Sequence, residues 1–156
     1  MSAPKRNLPH DKAWRILNEC TWGTLSLILP DGMPYATPVN AVLDDDDHSL
    51  WFHCRRGGTR AGALAQNPNV CYTAVSHVQM PEVKYTTWYE SAMVHGTAEF
   101  VTDEALVRER LAWMSRKLAP EWEMKRLDEV IDTYIHAVQF VKITPQSWSA
   151  KQNRDK

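Results

Sequence analysis

The sequence has few cysteines, no clustered histidines and no long apolar run. Three cysteines stand far apart among 156 residues and form no Cys-x-x-Cys pair. This spacing argues against a disulfide framework and against a structural zinc site. The six histidines are equally scattered, so we expect three reduced thiols and no metal.

Membrane and nucleic-acid functions also find little support. The apolar runs fall far short of the roughly 18 residues that cross a bilayer, and no apolar stretch follows Lys5 and Arg6 as it would in a secretory signal. We therefore expect a cytoplasmic protein without a membrane partner. A formal net charge of −1 provides no field that attracts a polyanion, so we expect no nucleic-acid partner.

The chain is long enough for one well-buried core and short for two. With 156 residues, 44% of them hydrophobic, it predicts a single domain over 1–156. Residues 1–10 and 146–156 are predicted to be flexible or dimer-contacting tails.

Hydrophobic periodicity predicts a mainly β fold. Strand-like patterns cover 23–29, 35–43, 48–54, 70–77, 88–101 and 137–143, and helical patterns cover 11–20, 59–66, 106–118 and 123–132. Pro30-Asp31-Gly32 predicts the turn of a hairpin between the first two strands. Six strands with few helices favour an antiparallel β-barrel with peripheral helices. The acidic run 44–47 is interpreted as a solvated turn, because no further carboxylates flank it at calcium-loop spacing.

One segment has the composition of an anion site. At 51–60 a strand runs into Gly57-Gly58 and a short helix then begins at Thr59, with arginines at 55, 56 and 60. Glycines let the backbone approach an oxyanion, a helix N-terminus offers unpaired N–H groups, and a guanidinium grips a phosphate through two bonds. An ordinary exposed Arg-Gly turn between a strand and a helix explains the same residues equally well. The lysine of a phosphate-binding P-loop is absent, so triphosphate chemistry is not expected.

The residues just before this bend differ in their expected roles. His53 and Cys54 are neighbours on a strand, so their side chains point to opposite faces and cannot form a nucleophile–base pair. His53 is a candidate site residue because it lies beside the arginines and glycines. For Cys54 the better explanation is a small buried apolar side chain or a backbone contact.

A second segment suits a flat ring. Pro38 lies in the strand-like run 35–40 and cannot donate to a β-ladder, so this strand must be an edge, a bulge or open beside a ligand. Exposed backbone donors and acceptors there would match the edge of a flavin. A simple edge strand is the equally plausible alternative.

Three segments in this order resemble the FMN-binding split β-barrels related to pyridoxamine phosphate oxidase, particularly the nitroimidazole-reductase-like branch. They are "GTLSLILPDGMPYATPVNAV", "LWFHCRRGGTRAGALAQNPNVCYTAV" and "WYESAMVHGTAEFV". The resemblance covers 11–101, with a looser match beyond. Relatives commonly have lysine in place of Arg60 and a small residue in place of Arg55.

The resemblance implies a cofactor site and an assembly. The strand Thr37, Pro38, Val39, Asn40 would lie along the isoalloxazine ring. The ribityl phosphate would be held at His53, Cys54, Gly58, Thr59 and Arg60. It also implies a homodimer with two FMN sites at the interface, where Trp88, Tyr89 and Ser91 approach the partner's flavin and Trp148 covers the site.

The activity that the resemblance implies is that of an FMN-dependent oxidoreductase. It would pass electrons from NADH or NADPH to a small acceptor such as a nitroaromatic, a quinone or a flavin, and the cofactor would carry the chemistry. Alternatives remain within the fold and outside it. A haem- or deazaflavin-binding barrel, with His53 as a haem ligand, is one, and a non-catalytic flavin-binding or regulatory module is another.

Overall fold

The computed structural model describes residues 6–82 and 84–154. Its strands are β1 (Asn7–Leu8), β2 (Gly23–Ile28), β3 (Pro34–Val39), β4 (Val42–Leu43), β5 (Leu50–Arg55), β6 (Asn69–Gln79), β7 (Trp88–Val101) and β8 (Val138–Asn153). Its helices are α1 (Lys12–Glu19), α2 (Thr59–Gln66), α3 (Glu104–Leu118) and α4 (Met124–Tyr134), and a 3-10 turn (Ile135–Ala137) precedes β8.

The predicted fold class is confirmed, with a different strand count. Within the described ranges, eight strands form one antiparallel sheet in the order β3-β2-β6-β7-β8-β5-β4, and β1 pairs with β8. Six of these strands correspond to the predicted ones. The other two are the two-residue strands β1 and β4, which are too short to produce a pattern in the sequence. The predicted strand over 35–43 is in fact β3 and β4, separated at Asn40 and Ala41.

Turn residues set the boundaries of the hairpin that carries β2 and β3. Gly32 has φ +87°, which glycine adopts without strain. The Asp31 carboxylate accepts a 3.0 Å bond from the N–H of Met33. Beyond the turn, β3 pairs with β2 and forms one end of the sheet, so Pro38 lies on an edge strand as predicted.

The C-terminal strand is much longer than the sequence suggests. Residues 146–153, predicted as a tail, continue β8 and pair with β7. Pro145 is tolerated because the β7–β8 register shifts between His95 and Gly96, and Pro145 stands opposite Gly96 at this irregularity. A side chain at Gly96 would meet the carbonyl oxygen of Thr144, since a Cβ there would lie 2.3 Å from it. Of the other predicted tail, residues 1–5 lie outside the described residues, and Asn7–Leu8 forms β1.

Two cores lie on opposite sides of β5 and β8. Alternate residues of the sheet and of α1 form the larger one, in which Phe52, Val141 and Ile143 are buried. On the other side, Trp51 and Phe140 pack against α3 and α4 through Val107, Met114 and Ile131. Burying a side chain of this size contributes about 1.5–3 kcal/mol. The smaller core therefore fixes both helices beside the strand that leads into the Arg-Gly bend.

The acidic turn at 44–47 has a structural role. Asp44 pairs with Arg110 of α3 at 2.7 Å, and Asp45 pairs with Lys117 at 2.7 Å. The guanidinium of Arg110 also lies 4.2 Å from the centre of the Trp51 ring. These contacts fasten α3 to the sheet. The interpretation of the run as a turn without site chemistry agrees with this arrangement.

Candidate functional site

The Arg-Gly bend forms a cradle between β5 and α2. Gly57 and Gly58 have φ values of +96° and +88°, and a Cβ built at either would meet nothing within 4 Å. The bend is therefore open on its outer side, with a backbone shape that other residues adopt only under strain. Helix α2 begins at Thr59 without a side-chain cap, which leaves its first N–H groups available.

The cradle is a hollow of about 410 Å³ shared by two parts of the chain. The bend supplies one wall and β3 supplies the other. Its lining residues are Tyr35, Thr37, Cys54, Arg55, Gly57, Gly58, Thr59, Arg60 and Ala61. Five residues predicted for the cofactor site, Thr37, Cys54, Gly58, Thr59 and Arg60, are thus brought together although Cys54 follows Thr37 by 17 positions in the sequence.

Arg60 is the most informative side chain of the cradle. Its Nε is buried and has no hydrogen-bond partner among the described residues. The guanidinium carbon lies 5.5 Å from the centre of the Phe52 ring, which holds the group by a cation–π contact. A buried guanidinium nitrogen without a partner is costly, so the site suits an anionic ligand that would supply the missing acceptor.

Arg55 and Arg56 have different surroundings. Arg55 is exposed and lines the cradle. Arg56 donates from Nε to the carbonyl oxygen of Val138 at 3.1 Å, and its backbone N–H donates to Ala137 at 3.1 Å. Arg56 therefore secures the bend to the start of β8, whereas Arg55 and Arg60 face the hollow.

The surroundings of the two residues before the bend favour their neutral forms. Burial, together with the positive charge of Arg60, lowers the pKa of His53. Burial raises the pKa of the Cys54 thiol, against a smaller opposing effect of a contact with Gln139 at 3.9 Å. A neutral thiol is a poor nucleophile. This agrees with the interpretation of Cys54 as a packing residue.

A second hollow adjoins the cradle. We call it the α4 trough; it has a volume of about 480 Å³ and is reached from the bend. Its walls are His53, Cys54, Arg55, Arg60, Leu111, Ser115, Trp122, Leu127, Val130, Ile131, Tyr134 and Val138. The sequence did not indicate this trough. The apolar residues Trp122, Val130 and Tyr134, in and on either side of the weak helical pattern, were a signal, and the structure leaves them exposed.

The remaining predicted site residues line neither hollow. Val39 is buried in the larger core, and Pro38 is exposed beside it. The Oδ1 atom of Asn40 is buried without a hydrogen-bond partner in the described part of the chain. Trp148 packs against Trp14, with ring centres 4.8 Å apart, and lines neither hollow of its own chain.

The residues predicted to reach a partner's flavin lie on β7. Tyr89 and Ser91 share the strand face that points away from the core, while Trp88 begins the strand and has a buried, unpartnered Nε1 within the described ranges. None of the three lines the cradle or the trough of its own chain.

A cluster of ionisable groups elsewhere is an ion-pair network. Glu19, His77 and Glu90 present ligand atoms within 4.8 Å of one another. Arg15 donates to Glu19 at 3.0 Å and to Glu90 at 2.8 Å, so a guanidinium of the chain already pairs with both carboxylates. The network carries no metal assignment. Cys20, Cys54 and Cys71 are free, as predicted, and no described helix has the length and apolar character of a membrane span.

Comparisons with known proteins place this geometry in a family. A family model described as pyridoxamine 5'-phosphate oxidase matches residues 9–152. A comparison with curated proteins gave no significant match.

Solved structures share the fold. A proposed 5-nitroimidazole antibiotic resistance protein from Bacteroides thetaiotaomicron has 21% identity and a TM-score of 0.76, covering 94% of this chain and 86% of that one. The flavocytochrome Anf3 from Azotobacter vinelandii has 22% identity and a TM-score of 0.78, covering 94% and 68%. The FAD binding protein from Mycobacterium smegmatis has 22% identity and a TM-score of 0.61, covering 95% and 99%. By its sequence match from residue 9 to residue 152, the chain belongs to the pyridoxamine 5'-phosphate oxidase family.

Proposed function

We propose that this protein is a flavin-dependent oxidoreductase that holds the ribityl phosphate of FMN in the cradle. The observation that carries the proposal is the convergence of Arg60, the unblocked start of α2 and Thr37 of β3 on one hollow. Each supplies a donor that a phosphate accepts. The titles of structurally similar proteins name a flavocytochrome and an FAD binding protein, which adds support.

The residues present fit such a group. The buried Nε of Arg60 lacks an acceptor among the described residues, and a phosphate oxygen would supply one. Gly57 and Gly58 leave open space where side chains would stand. Just after the edge strand, the Oδ1 of Asn40 lacks a partner among the described residues, and in the proposed complex it would accept from an N–H on the rim of the flavin ring.

When bound, the flavin would supply the redox chemistry. The chain's own residues then bind and orient it. Arg60 and Thr59 hold the phosphate end, Thr37 closes the cradle from β3, and neutral His53 leaves the local positive charge on the arginines. We propose NADH or NADPH as the electron donor and a nitroaromatic, a quinone or a flavin as the acceptor.

A homodimer forms part of the proposal. Val75 and Met93 expose apolar side chains on the outward face of β6 and β7, where Ser91 stands opposite Val75. Exposed apolar side chains on one face of a sheet favour association with a second copy. In such a dimer Trp88, Tyr89 and Ser91 would approach the partner's flavin, which explains why they line no hollow of their own chain. Free cysteines support a cytoplasmic location, which cell fractionation tests.

Absorption spectroscopy tests the proposal most directly. The purified protein should show flavin bands, and the protein stripped of cofactor should recover them on titration with FMN. Absence of both bands and binding would contradict it. A Soret band without flavin would indicate a haem protein. Anaerobic addition of NADPH or NADH separates the remaining alternatives, since bleaching and reoxidation by a quinone indicate an enzyme and an inert flavin indicates a binding module.

A further inference from the structure

The α4 trough is lined by large apolar side chains that the rest of the described chain leaves uncovered. Trp122 and Tyr134 are 59% and 58% exposed, and Val130 is 48% exposed. Val130 and Tyr134 are four residues apart on α4, so they lie on one face of the helix. Exposed apolar side chains that share a hollow mark a place where another molecule binds.

The fixed charges of the trough have one sign. Arg55 and Arg60 contribute two guanidinium groups, and the described residues contribute no carboxylate to its walls. A neighbouring hollow of about 560 Å³ shares part of the apolar wall, but it is lined by Glu121 and Glu123 beside Arg126. Charge complementarity therefore favours an anionic ligand in the trough and disfavours one in the neighbouring hollow.

Arg55 is the cation that is available for such a ligand. Its side chain is exposed and makes no hydrogen bond, ion pair or ring contact with another described residue. Arg60 already lies against the Phe52 ring, and the proposed function uses it for the phosphate in the cradle. A guanidinium binds a carboxylate through two parallel N–H···O bonds. Arg55 can therefore hold a carboxylate in the trough while Arg60 serves the cradle.

We infer that the α4 trough binds an aromatic carboxylate, with Arg55 on the carboxylate and Trp122 and Tyr134 on the ring. Contacts between rings contribute beyond the burial of apolar area, so these two side chains favour an aromatic ligand over an aliphatic one. The volume of about 480 Å³ falls in the usual range for small-ligand sites, roughly 300–1,000 Å³. The inference goes beyond the proposed function and stands whether or not the cradle binds a flavin.

Isothermal titration calorimetry of the purified protein tests this inference with 2-naphthoate and its uncharged analogue 2-naphthamide. Wild type should bind 2-naphthoate at least about fivefold more tightly than 2-naphthamide. Arg55→Ala should weaken 2-naphthoate binding about 5- to 20-fold, the effect of one solvent-screened charged contact, and leave 2-naphthamide within about twofold. Trp122→Ala should weaken the binding of both about 3- to 10-fold, because both present the same ring.

Two matched variants control for position. Trp22→Ala removes a tryptophan that is 60% exposed and lines none of the three hollows. Arg126→Ala removes the cation of the neighbouring hollow. Both variants should bind 2-naphthoate within about twofold of wild type. Equal losses in Arg126→Ala and Arg55→Ala would place the anion in the neighbouring hollow and overturn the inference.

Other outcomes separate the inference from the proposed function. Failure of wild type to bind 2-naphthoate, or equal affinities for 2-naphthoate and 2-naphthamide, would overturn the inference and leave flavin binding untouched. Octanoate binding as tightly as 2-naphthoate would overturn the aromatic class. In sedimentation, a shift of Trp122→Ala to a smaller assembly would show that a second copy covers the trough, which also overturns the inference. A protein that binds 2-naphthoate as expected but no flavin would contradict the proposed function alone.

Discussion

The Nε atom of Arg56 donates a 3.1 Å hydrogen bond to the carbonyl oxygen of Val138, and this bond joins the end of β5 to the beginning of β8. Neither of the neighbouring arginines, Arg55 and Arg60, joins two strands in this way within the described part of the chain. The bond holds the backbone that leads into Gly57 and Gly58, so Arg56 supports the cradle without lining it.

Removal of the Arg56 side chain should therefore affect stability. We expect Arg56→Ala to lower the free energy of unfolding by about 0.5–1.5 kcal/mol, the net contribution of one hydrogen bond. Urea denaturation measures this change. Arg116→Ala serves as control because Arg116 is exposed on α3. Equal stability of the two variants would show that the bond to Val138 contributes nothing.

Arg60 and Arg55 should differ in their effect on flavin binding. Arg60 is partly buried and its Nε has no partner in the described residues, whereas Arg55 is exposed. Loss of a hydrogen bond to a charged group costs about 1.5–3 kcal/mol, so Arg60→Ala should weaken FMN binding about 10- to 100-fold. Arg55→Ala should weaken it much less, because solvent screens an exposed charge. Fluorescence titration of FMN compares them, and equal affinities would reject the assignment of Arg60.

The two glycines around the start of α2 provide a test of backbone strain. Gly58 has φ +88° and ψ 175°, a region almost restricted to glycine, so Gly58→Ala should cost about 1–3 kcal/mol of stability. Gly62 lies within α2, and a Cβ there would meet nothing within 4 Å. Gly62→Ala should stabilise the protein by about 0.5–1 kcal/mol. Thermal unfolding measures both, and effects of the same sign would contradict the backbone described for the bend.

The acidic turn should make stability depend on pH at low pH. Although burial acts in the opposite direction, hydrogen bonds from Ser49 and Lys142 lower the pKa of Asp47 from 3.8 to about 2. The ionised carboxylate therefore stabilises the folded protein above pH 3.8, and this contribution disappears as the pH falls towards 2. Asp47→Asn should be less stable than wild type at pH 7, and the difference should shrink below pH 3.8. A difference that is constant from pH 7 to pH 2 would rule out this origin.

The sequence predicted most of the elements that carry the site. Helix α2 has the predicted bounds because Gly57-Gly58 and Asn67-Pro68 mark both of its ends. Strand β7 also has its predicted bounds, since fourteen residues of alternating character leave little ambiguity. The cradle followed from these local signals together with the family resemblance.

The errors arose where distant contacts decide the structure. Residues 147–153 are largely polar, yet they pair with β7 on one side, and Ala150 and Lys151 pair with β1 on the other. Pro145 normally argues for a break, and only the register shift opposite Gly96 accommodates it. The α4 trough depends on packing of Ile131 and Leu127 against Phe140 and Trp51. No local pattern reports such contacts.

The dependence of the cradle on β8 has a consequence for the order in which the protein is made. Val138 follows Arg56 by 82 residues, so a ribosome synthesises the anion-binding loop long before the strand that supports it. A nascent chain that stops before Val138 contains every residue of the cradle, but the loop is not yet fastened. In the proposed function, binding of the flavin would therefore be a late step in the biogenesis of this protein.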